Sequence, residues 1–340
     1  MSNRKIQLEL PSFSLQTIII TGGNSGLGLA CAKALLTDKA PLHIVIACRD
    51  TERANSAVGE LRKVSSNGSK VETMALDLAS LASVRAFATA LEQQLNTGAL
   101  PSLHGLVCNA GTQGVKKFTA DGFEMTFGVN HLGHYLLVNL LLPLLAKPAR
   151  IIVVASGTHD PAQMEGLPSF TRVPGPAWNL PTELAKGNLG VEAANDDENA
   201  DMGRRYATSK LANIYFTYGL AQRLPKRITV NAFDPGMMPG TGLAREYSSL
   251  MRFIWFSLMP KILPLMRFLL VKNIHTPEES GTAMARLITD PALATTNGKY
   301  FEGLKEIRSS VESYDKSRAD ELWESSAVLT EITNPVAQNY

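Results

Sequence analysis

A glycine-rich turn directly follows the first strongly apolar run of the chain. The run Thr-Ile-Ile-Ile at residues 17–20 leads into Thr-Gly-Gly-Asn-Ser-Gly-Leu-Gly at residues 21–28, after which helix-forming residues begin. Glycines let a backbone approach a pyrophosphate closely, and the free N–H groups at a helix start bind its charge. A strand before the turn and a helix after it distinguish such a site from an ordinary glycine-rich loop. The predicted phosphate-binding residues are Gly22, Asn24, Ser25, Gly26, Leu27 and Gly28.

Seven β-branched runs alternate with segments of helical periodicity along the chain. The predicted strands are residues 15–21, 43–48, 71–76, 103–109, 150–155, 228–233 and 299–301, and the predicted helices are residues 27–36, 51–64, 80–95, 125–145, 207–223 and 277–289. This alternation is typical of parallel strands joined by crossover helices. The sequence therefore predicts an α/β fold, a single doubly wound Rossmann-type domain. Its mainly parallel seven-stranded sheet has the order 3-2-1-4-5-6-7 and is flanked by helices on both faces.

Two long segments interrupt the alternation. Residues 157–205 are polar and contain Gly and Pro, and residues 243–275 contain an apolar stretch interrupted by charges and prolines. Insertions of this length usually shape a binding site or form a lid, so both are predicted to form the substrate side. No linker, repeat or low-complexity stretch divides the chain, which predicts one dinucleotide-binding domain over residues 1–340.

Composition and charge exclude several classes of protein. The 340 residues are 45% hydrophobic and 19% charged, as in folded globular chains. The formal net charge is only +2 and no run of five like charges occurs, so nucleic acid is not expected as a partner. Three separated cysteines in apolar stretches indicate buried thiols in a reducing compartment. No metal site is expected, because His131 and His134 have no third ligand at a suitable spacing.

The N-terminus and the second insertion bear on location. The first ten residues lack the apolar stretch of a signal peptide, so a cytoplasmic location is expected. Residues 251–271 contain three charges and two prolines, which makes them a poor membrane-spanning helix. Residues 243–275 contain five basic residues and one acidic residue, an excess that favours peripheral contact with an anionic membrane or a carboxylated substrate. A solvated lid face is the alternative interpretation.

The end of the second predicted strand bears on the choice of cofactor. It reads Ala47-Cys48-Arg49-Asp50. An enzyme that selects NAD places an acidic residue here, against the ribose 2′-hydroxyl. Arg49 comes first in this chain, and its guanidinium matches a 2′-phosphate, which favours NADP(H). Asp50 is the observation against that choice.

Tyr206 and Lys210 are spaced to lie on one face of a helix that is predicted to open at residue 206. A free tyrosine has a pKa of about 10, and a nearby ammonium lowers it, which allows the phenol to act as an acid or base near neutral pH. Ser156 closes the fifth predicted strand. A Tyr-x-x-x-Lys pair alone is common on exposed helix faces, but together with the upstream glycine turn it indicates an active site.

Several ordered motifs resemble the short-chain dehydrogenase/reductase family, from about residue 15 to beyond residue 300. They include Leu76-Asp77-Leu78, Cys108-Asn109-Ala110-Gly111, Val129-Asn130-His131 and Asp234-Pro235-Gly236. The resemblance implies that Ser156 hydrogen-bonds the substrate oxygen and that Tyr206 is the acid/base. It also implies that Lys210 binds the nicotinamide ribose and tunes Tyr206, and that Asn130 holds a relay water. The resemblance further assigns cofactor contacts to Arg49, Asp77, Leu78, Asn109, Ala110, Gly111, Tyr206, Lys210, Pro235, Gly236 and Thr241.

The chain departs from the family pattern at three places. Cys108 replaces the first Asn of the family's Asn-Asn-Ala-Gly motif, which is expected to matter little. Gly240 stands where the family has a Thr that holds the carboxamide, with Thr241 one residue later. Ser156 precedes Tyr206 by fifty residues rather than about a dozen, so the first insertion is expected to lie over the site.

Within the family, residues 76–81, 129–134 and 241–243 resemble retinol dehydrogenases and light-dependent protochlorophyllide reductases. The latter carry a Cys two residues after the motif lysine, where this chain has Ala212, which argues against photoreduction. The resemblance implies NADPH-dependent hydride transfer to or from a carbonyl, alcohol or activated alkene of a bulky apolar small molecule. Light-dependent protochlorophyllide reduction is one alternative, and an inactive NADP-binding regulatory or scaffold protein is another. Relatives often form homo-oligomers through helices that begin here near Met125 and Ala207.

Overall fold

The computed structural model describes residues 15–65, 68–114, 116–165, 172–239, 257, 259, 261–263, 267 and 273–333. Its strands form one sheet with the order β3-β2-β1-β4-β5-β6-β7-β8. They are β1 (Gln16–Thr21), β2 (Leu42–Cys48), β3 (Lys70–Ala75), β4 (Leu103–Cys108), β5 (Leu145–Val154), β6 (Ile228–Asp234), β7 (Tyr300–Glu302) and β8 (Lys305–Ile307). Strands β1 to β7 are parallel, which confirms the predicted fold class and strand order.

The sheet has eight strands rather than the predicted seven. Strand β8 pairs antiparallel with β7 after a two-residue turn, in which Gly303 has a φ of +54°. Glycine tolerates this left-handed conformation at no steric cost, and two-residue hairpin turns require it. The three residues Lys-Glu-Ile of β8 are too few and too polar to produce a recognisable strand pattern in the sequence.

Ten helices with described bounds surround the sheet. They are α1 (Gly26–Leu36), α2 (Thr51–Val64), α3 (Leu81–Asn96), α4 (Met125–Phe127), α5 (Gly133–Leu141), α6 (Pro161–Glu165), α7 (Pro181–Ala185), α8 (Glu198–Ala221), α9 (Pro277–Thr289) and α10 (Lys316–Leu329). A π-helical turn (Gly128–Leu132) joins α4 to α5, and a 3₁₀ turn (Gly157–His159) follows β5. Among the described helices none is both long and apolar enough to cross a membrane.

Apolar clusters cover both faces of the sheet. Helices α3, α5, α8 and α10 bury Phe87, Leu136, Phe216 and Trp323 against one face. Helices α1, α2 and α9 cover the other face, and α1 and α9 approach so closely that a Cβ at Gly281 would lie 2.6 Å from the backbone of Ala30. Full burial of such side chains contributes about 1.5–3 kcal/mol each, so this two-sided packing holds the sheet. The helices packed on both faces therefore hold the carboxyl ends of the strands in fixed positions.

Two elements begin five or more residues before their predicted starts, and the helix predicted at residues 125–145 is divided into α4, a π-helical turn and α5, which ends at Leu141. Strand β5 begins at Leu145, five residues before the predicted start. Helix α8 begins at Glu198, where the Asp197 side chain accepts a hydrogen bond from the Ala200 N–H, and Glu198 and Asp201 favour the positive end of the helix dipole. The prediction that Tyr206 opens this helix is therefore wrong. Residues 198–205 are mostly polar, so their helical turns produce no apolar periodicity in the sequence.

Candidate active site

A cavity of about 590 Å³ lies at the carboxyl ends of β1, β2, β4 and β5. In doubly wound sheets this edge is where ligands bind. The sequence-predicted residues that line the cavity are Gly22, Asn24, Ser25, Gly26, Leu27, Arg49, Asp77, Leu78, Asn109, Ala110, Gly111, Tyr206, Lys210 and Pro235. The structure therefore brings the glycine turn and the Tyr-x-x-x-Lys pair into one space.

The glycine turn packs tightly beneath the cavity. Gly22 and Gly26 have φ values of +64° and +53°, which favour glycine. Gly28 does not line the cavity, but a Cβ there would lie 2.6 Å from Asn109 Nδ2 and 2.7 Å from the Gly22 carbonyl oxygen. Helix α1 thus starts directly under the turn. Its first turn has no acidic residue, and Ser25 at its N-cap makes no side-chain capping bond, so the helix start is suited to an anion.

The Thr21 side chain joins the glycine turn to the end of β4. Its Oγ1 accepts hydrogen bonds from the Asn109 and Ala110 N–H groups, both at 2.9 Å. His134 Nδ1 lies 3.1 Å from the Asn130 carbonyl oxygen, which can only accept, so we assign the ring proton to Nδ1. His134 Nε2 then accepts from the Thr21 hydroxyl at 2.9 Å. Burial lowers the pKa of His134 to about 4, which keeps the ring neutral in this role.

Two guanidinium groups line the cavity beyond β2. Asp50 caps α2 by accepting a hydrogen bond from the Arg53 N–H at 3.0 Å, and its second carboxylate oxygen lies 3.8 Å from Arg53 Nε. Asp50 therefore caps the helix start, and Arg49, Asp50 and Arg53 all line the cavity. Sequence reasoning missed Arg53, although its spacing of four residues from Arg49 at a predicted helix start was an available signal.

Lys210 and Tyr206 stand at the other end of the cavity. The Lys210 side chain is 3% exposed, and its Nζ donates a hydrogen bond to the Val154 carbonyl oxygen at 3.0 Å. The same Nζ lies 5.4 Å from the centroid of the Tyr206 ring, as the spacing of four residues on α8 predicts. Burial lowers the pKa of Lys210 to about 8, and the nearby Asp234 carboxylate opposes this shift. An ammonium is thus held beside the phenol in a dry environment.

Asn130 lies behind the cavity and is fully buried in the π-helical turn. Its Oδ1 accepts a hydrogen bond from the Thr112 N–H at 2.8 Å, and its Nδ2 donates to the Thr112 carbonyl and to Ser209 Oγ, both at 3.0 Å. A Cβ at Gly111 would lie 3.2 Å from Asn130 Oδ1 and 3.8 Å from Lys210 Nζ. Asn130 therefore connects the loop after β4 to α8, directly beside the lysine. Single π-helical turns of this kind are frequent at functional sites.

Comparisons with known proteins identify the family of this chain. A model of the short chain dehydrogenase family matches residues 16–166. Retinol dehydrogenase 14 of Homo sapiens is 35% identical over 331 residues, which cover 92% of this chain and 86% of that protein. The chain belongs to the short-chain dehydrogenase family. It is therefore an oxidoreductase of that family, as the sequence motifs predicted.

Two further similarities extend over most of this short-chain dehydrogenase. The protochlorophyllide reductase of Avena sativa is 36% identical over 332 residues, which cover 92% of this chain and 98% of that protein. The crystal structure of an uncharacterized protein from Mycobacterium Paratuberculosis superposes with a TM-score of 0.62 at 26% identity, covering 95% of this chain and 96% of that one. The same fold therefore extends through the part of the chain that follows the family match.

Ser156 of this dehydrogenase lies just beyond β5. Its Oγ accepts a hydrogen bond from the Thr158 N–H at 3.3 Å, at the start of the 3₁₀ turn. Ala155, its neighbour, lines the cavity, whereas Ser156 is not among the residues that form its wall. The predicted catalytic set is thus placed at one edge of the sheet, with Tyr206 and Lys210 in the cavity wall and Ser156 adjacent to it.

The turn after β6 is held by a distant segment. Pro235 lines the cavity, and Gly236 has a φ of +73° with space for no side chain, since a Cβ would lie 2.3 Å from Asn273 Oδ1. The Met237 N–H donates to the Asn273 carbonyl and the Met237 carbonyl accepts from the His275 N–H, both at 2.9 Å. The predicted carboxamide contact at Thr241, with Gly240, lies outside the described residues.

The remaining titratable candidates are structural. Cys31, Cys48 and Cys108 are buried free thiols, and burial raises the pKa of each. His131 Nε2 lies 2.8 Å from Ser326 Oγ, with its ring packed near Phe127 and Phe216. Within the described ranges no group of three His, Cys, Asp or Glu side chains is arranged to hold a metal ion.

Proposed function

We propose that this oxidoreductase uses NADPH to transfer a hydride between nicotinamide and a carbonyl, alcohol or activated alkene of a bulky apolar substrate. The observation that carries the proposal is the cavity that extends from the glycine turn, past two guanidinium groups, to the Tyr206–Lys210 pair. The cavity matches a dinucleotide in its chemistry: it has an anion-binding helix start at one end and, at the other, a half-buried phenol beside a buried ammonium.

The preference for NADPH rests on the charges beyond β2. A 2′-phosphate presents oxygens that a guanidinium binds with a matching fork geometry. Arg49 and Arg53 both line the cavity, and the Asp50 carboxylate caps α2. One Asp50 oxygen is therefore engaged at the helix start, and beyond β2 two guanidinium groups outnumber this carboxylate in the cavity wall, which favours NADPH.

The catalytic end supplies proton transfer and charge stabilisation. When bound, the reduced cofactor supplies the hydride. Tyr206 donates its phenolic proton to the substrate oxygen, and the Lys210 ammonium stabilises the phenolate that remains. The Val154 carbonyl holds Lys210 Nζ in place. Ser156 donates a hydrogen bond to the same substrate oxygen, which stabilises negative charge as it forms.

A bulky apolar substrate is supported by the relatives named above. A retinol dehydrogenase and a protochlorophyllide reductase both match almost the whole chain at about one third identity. Light-dependent pigment reduction is the second candidate. Ala212 speaks against it, because this residue is fully buried in an apolar cluster with Leu132, Leu184 and Tyr215 and carries no dissociable proton.

The test is NADPH oxidation by the purified protein with a panel of apolar aldehydes and ketones that includes retinaldehyde. We expect turnover in darkness, with NADH used at least tenfold less efficiently. The Tyr206→Phe variant is the matched control and should bind NADPH without turnover. A product that forms from protochlorophyllide only under illumination would favour the second candidate. Tight NADPH binding with no turnover of any substrate would instead indicate a cofactor-binding protein without chemistry.

A further inference from the structure

His159 makes hydrogen bonds with both ring nitrogens at the end of β5. The residue is fully buried in the 3₁₀ turn that follows Ser156. Its Nδ1 lies 2.6 Å from the Ser156 carbonyl oxygen, and its Nε2 lies 3.0 Å from the Ser310 backbone nitrogen. A backbone N–H can only donate and a carbonyl can only accept. The ring proton is therefore on Nδ1, and the imidazole joins Ser156 to Ser310 as a neutral group.

The surroundings of His159 hold the ring in this state. Burial is the largest influence and lowers the pKa, while Asp234 and Asp160 act in the opposite direction. The ring also packs against Tyr300 of β7, with the two centroids 5.1 Å apart. A protonated imidazole would have two donors, and its second N–H would face the Ser310 N–H. The neutral tautomer alone satisfies both partners.

The Ser310 side of the link leads back to the catalytic helix. Ser313 Oγ donates a hydrogen bond to the Ser310 carbonyl at 2.6 Å and lies 2.6 Å from Ser309 Oγ. Ser309 Oγ in turn lies 2.6 Å from the Tyr218 hydroxyl, and Tyr218 belongs to α8. The ends of this chain of bonds are thus Ser156 and the helix that carries Tyr206 and Lys210. It fixes the two against each other by a route separate from the sheet.

We propose that His159 is a positioning residue, which sets the place of Ser156 relative to Tyr206 through its bond to the Ser156 carbonyl. This inference rests on the proposed function, in which both residues act on one substrate oxygen. A displacement of about 1 Å in such an arrangement is sufficient to lower a rate by up to a hundredfold. His159 lies three residues after Ser156 in a tight turn. Within the described residues, the Ser156 carbonyl accepts hydrogen bonds from the His159 ring and from the His159 backbone N–H, and from no other group.

Two substitutions separate the two ends of the imidazole. The amide nitrogen of Asn occupies the place of Nδ1, so His159→Asn keeps the donor to Ser156 and loses the acceptor for Ser310. The amide oxygen of Gln reaches the place of Nε2, so His159→Gln does the reverse. We expect His159→Gln to lower kcat about tenfold with an unchanged Kd for NADPH. We expect His159→Asn, as a separate variant, to keep most of the parent kcat. His104→Gln is the matched control, because His104 also bonds through both nitrogens but lies half-buried at the Pro148 end of the sheet, away from the cavity.

A double-mutant cycle distinguishes positioning from a general loss of structure. If His159 acts through Ser156, its replacement by Gln has little further effect on kcat in a Ser156→Ala background. An equal loss in both backgrounds would overturn the proposal. If neither replacement folds, ¹⁵N shifts of the histidine rings in the wild-type protein decide the arrangement, since a proton on Nε2 at neutral pH contradicts it. These shifts are measured without turnover, so failure of the proposed function and failure of this inference are separate results.

Discussion

At the glycine-turn end of the cavity the charged side chains are exposed to solvent, whereas at the Tyr206 end the ammonium group of Lys210 is buried. Arg53 has 51% of its side chain exposed and its neighbour Asp50 has 45%, while Lys210 is 3% exposed. Exposed charges are screened by water and salt, so they contribute modestly to affinity. A buried charge instead changes the pKa of its neighbours. Under the proposed function, the exposed end selects the cofactor and the buried end transfers the proton.

The sharpest test of this comparison is Tyr206→Phe at the buried end. Removal of the phenolic hydroxyl removes the proton donor, and we expect kcat to fall a hundredfold or more, the usual size of an acid/base contribution. The Kd for NADPH should change less than threefold, measured by quenching of protein fluorescence. A variant that turns over at the parent rate would refute the role of this end.

Mild acid should weaken the fold through the histidines behind the cavity. Burial lowers the pKa of His134 to about 4 and that of His131 to about 3, against 6.5 for a free side chain. The unfolded chain therefore binds protons between pH 6.5 and 4 that the folded protein rejects, so stability is complete above about pH 6.5 and falls as the pH decreases. Each of the two histidines should lower the free energy of unfolding by about 2 kcal/mol between pH 7 and pH 5.

Urea unfolding at pH 7, 6 and 5 measures this loss. A free energy of unfolding that stays constant from pH 7 to pH 5 would contradict the buried neutral rings.

Gly28→Ala tests the packing that joins the two ends. The added methyl group would meet Asn109 Nδ2 and the Gly22 carbonyl, so we expect a loss of about 1–3 kcal/mol in the free energy of unfolding and weaker NADPH binding. Gly59→Ala in α2 is the matched control, since nothing lies within 4 Å of its Cβ position. Alanine there should stabilise the helix by up to about 1 kcal/mol. Equal effects of both substitutions would show that the close approach at Gly28 is unimportant.

The smallest effect is expected at the exposed end. Arg49→Ala should raise the Kd for NADPH about tenfold, the lower range for a hydrogen bond to a charged group, and leave NADH binding unchanged. The difference in the Kd for NADPH between Arg49→Ala and the parent should decrease at high salt, because Arg49 is exposed to solvent. Arg62→Ala in α2 is the control, since Arg62 bonds to the Val71 carbonyl away from the cavity. If Arg49→Ala weakened NADH binding to a similar extent, this would contradict the proposal that this end of the cavity selects NADPH over NADH.

The two ends also differ in how far the sequence predicts them. The glycine turn, Arg49 and the loop after β4 follow directly from strand ends, because parallel strands bring their carboxyl ends to one edge. The contacts behind the other end join residues far apart in the chain, such as His159 with Ser310 and Asp234 with Asn273. No local spacing encodes such contacts. The start of α8 was missed for a related reason, since its first turns are polar and depend on the Asp197 cap.

The bridge between Met237 and Ile274 holds two distant points of the chain side by side. When the two ends of a segment are held together, a change in its length has a small entropic cost, about 0.6 kcal/mol for each doubling. Changes in the length of chain between Met237 and Ile274 should therefore cost the sheet little stability, so homologues are free to differ there while keeping the same strands.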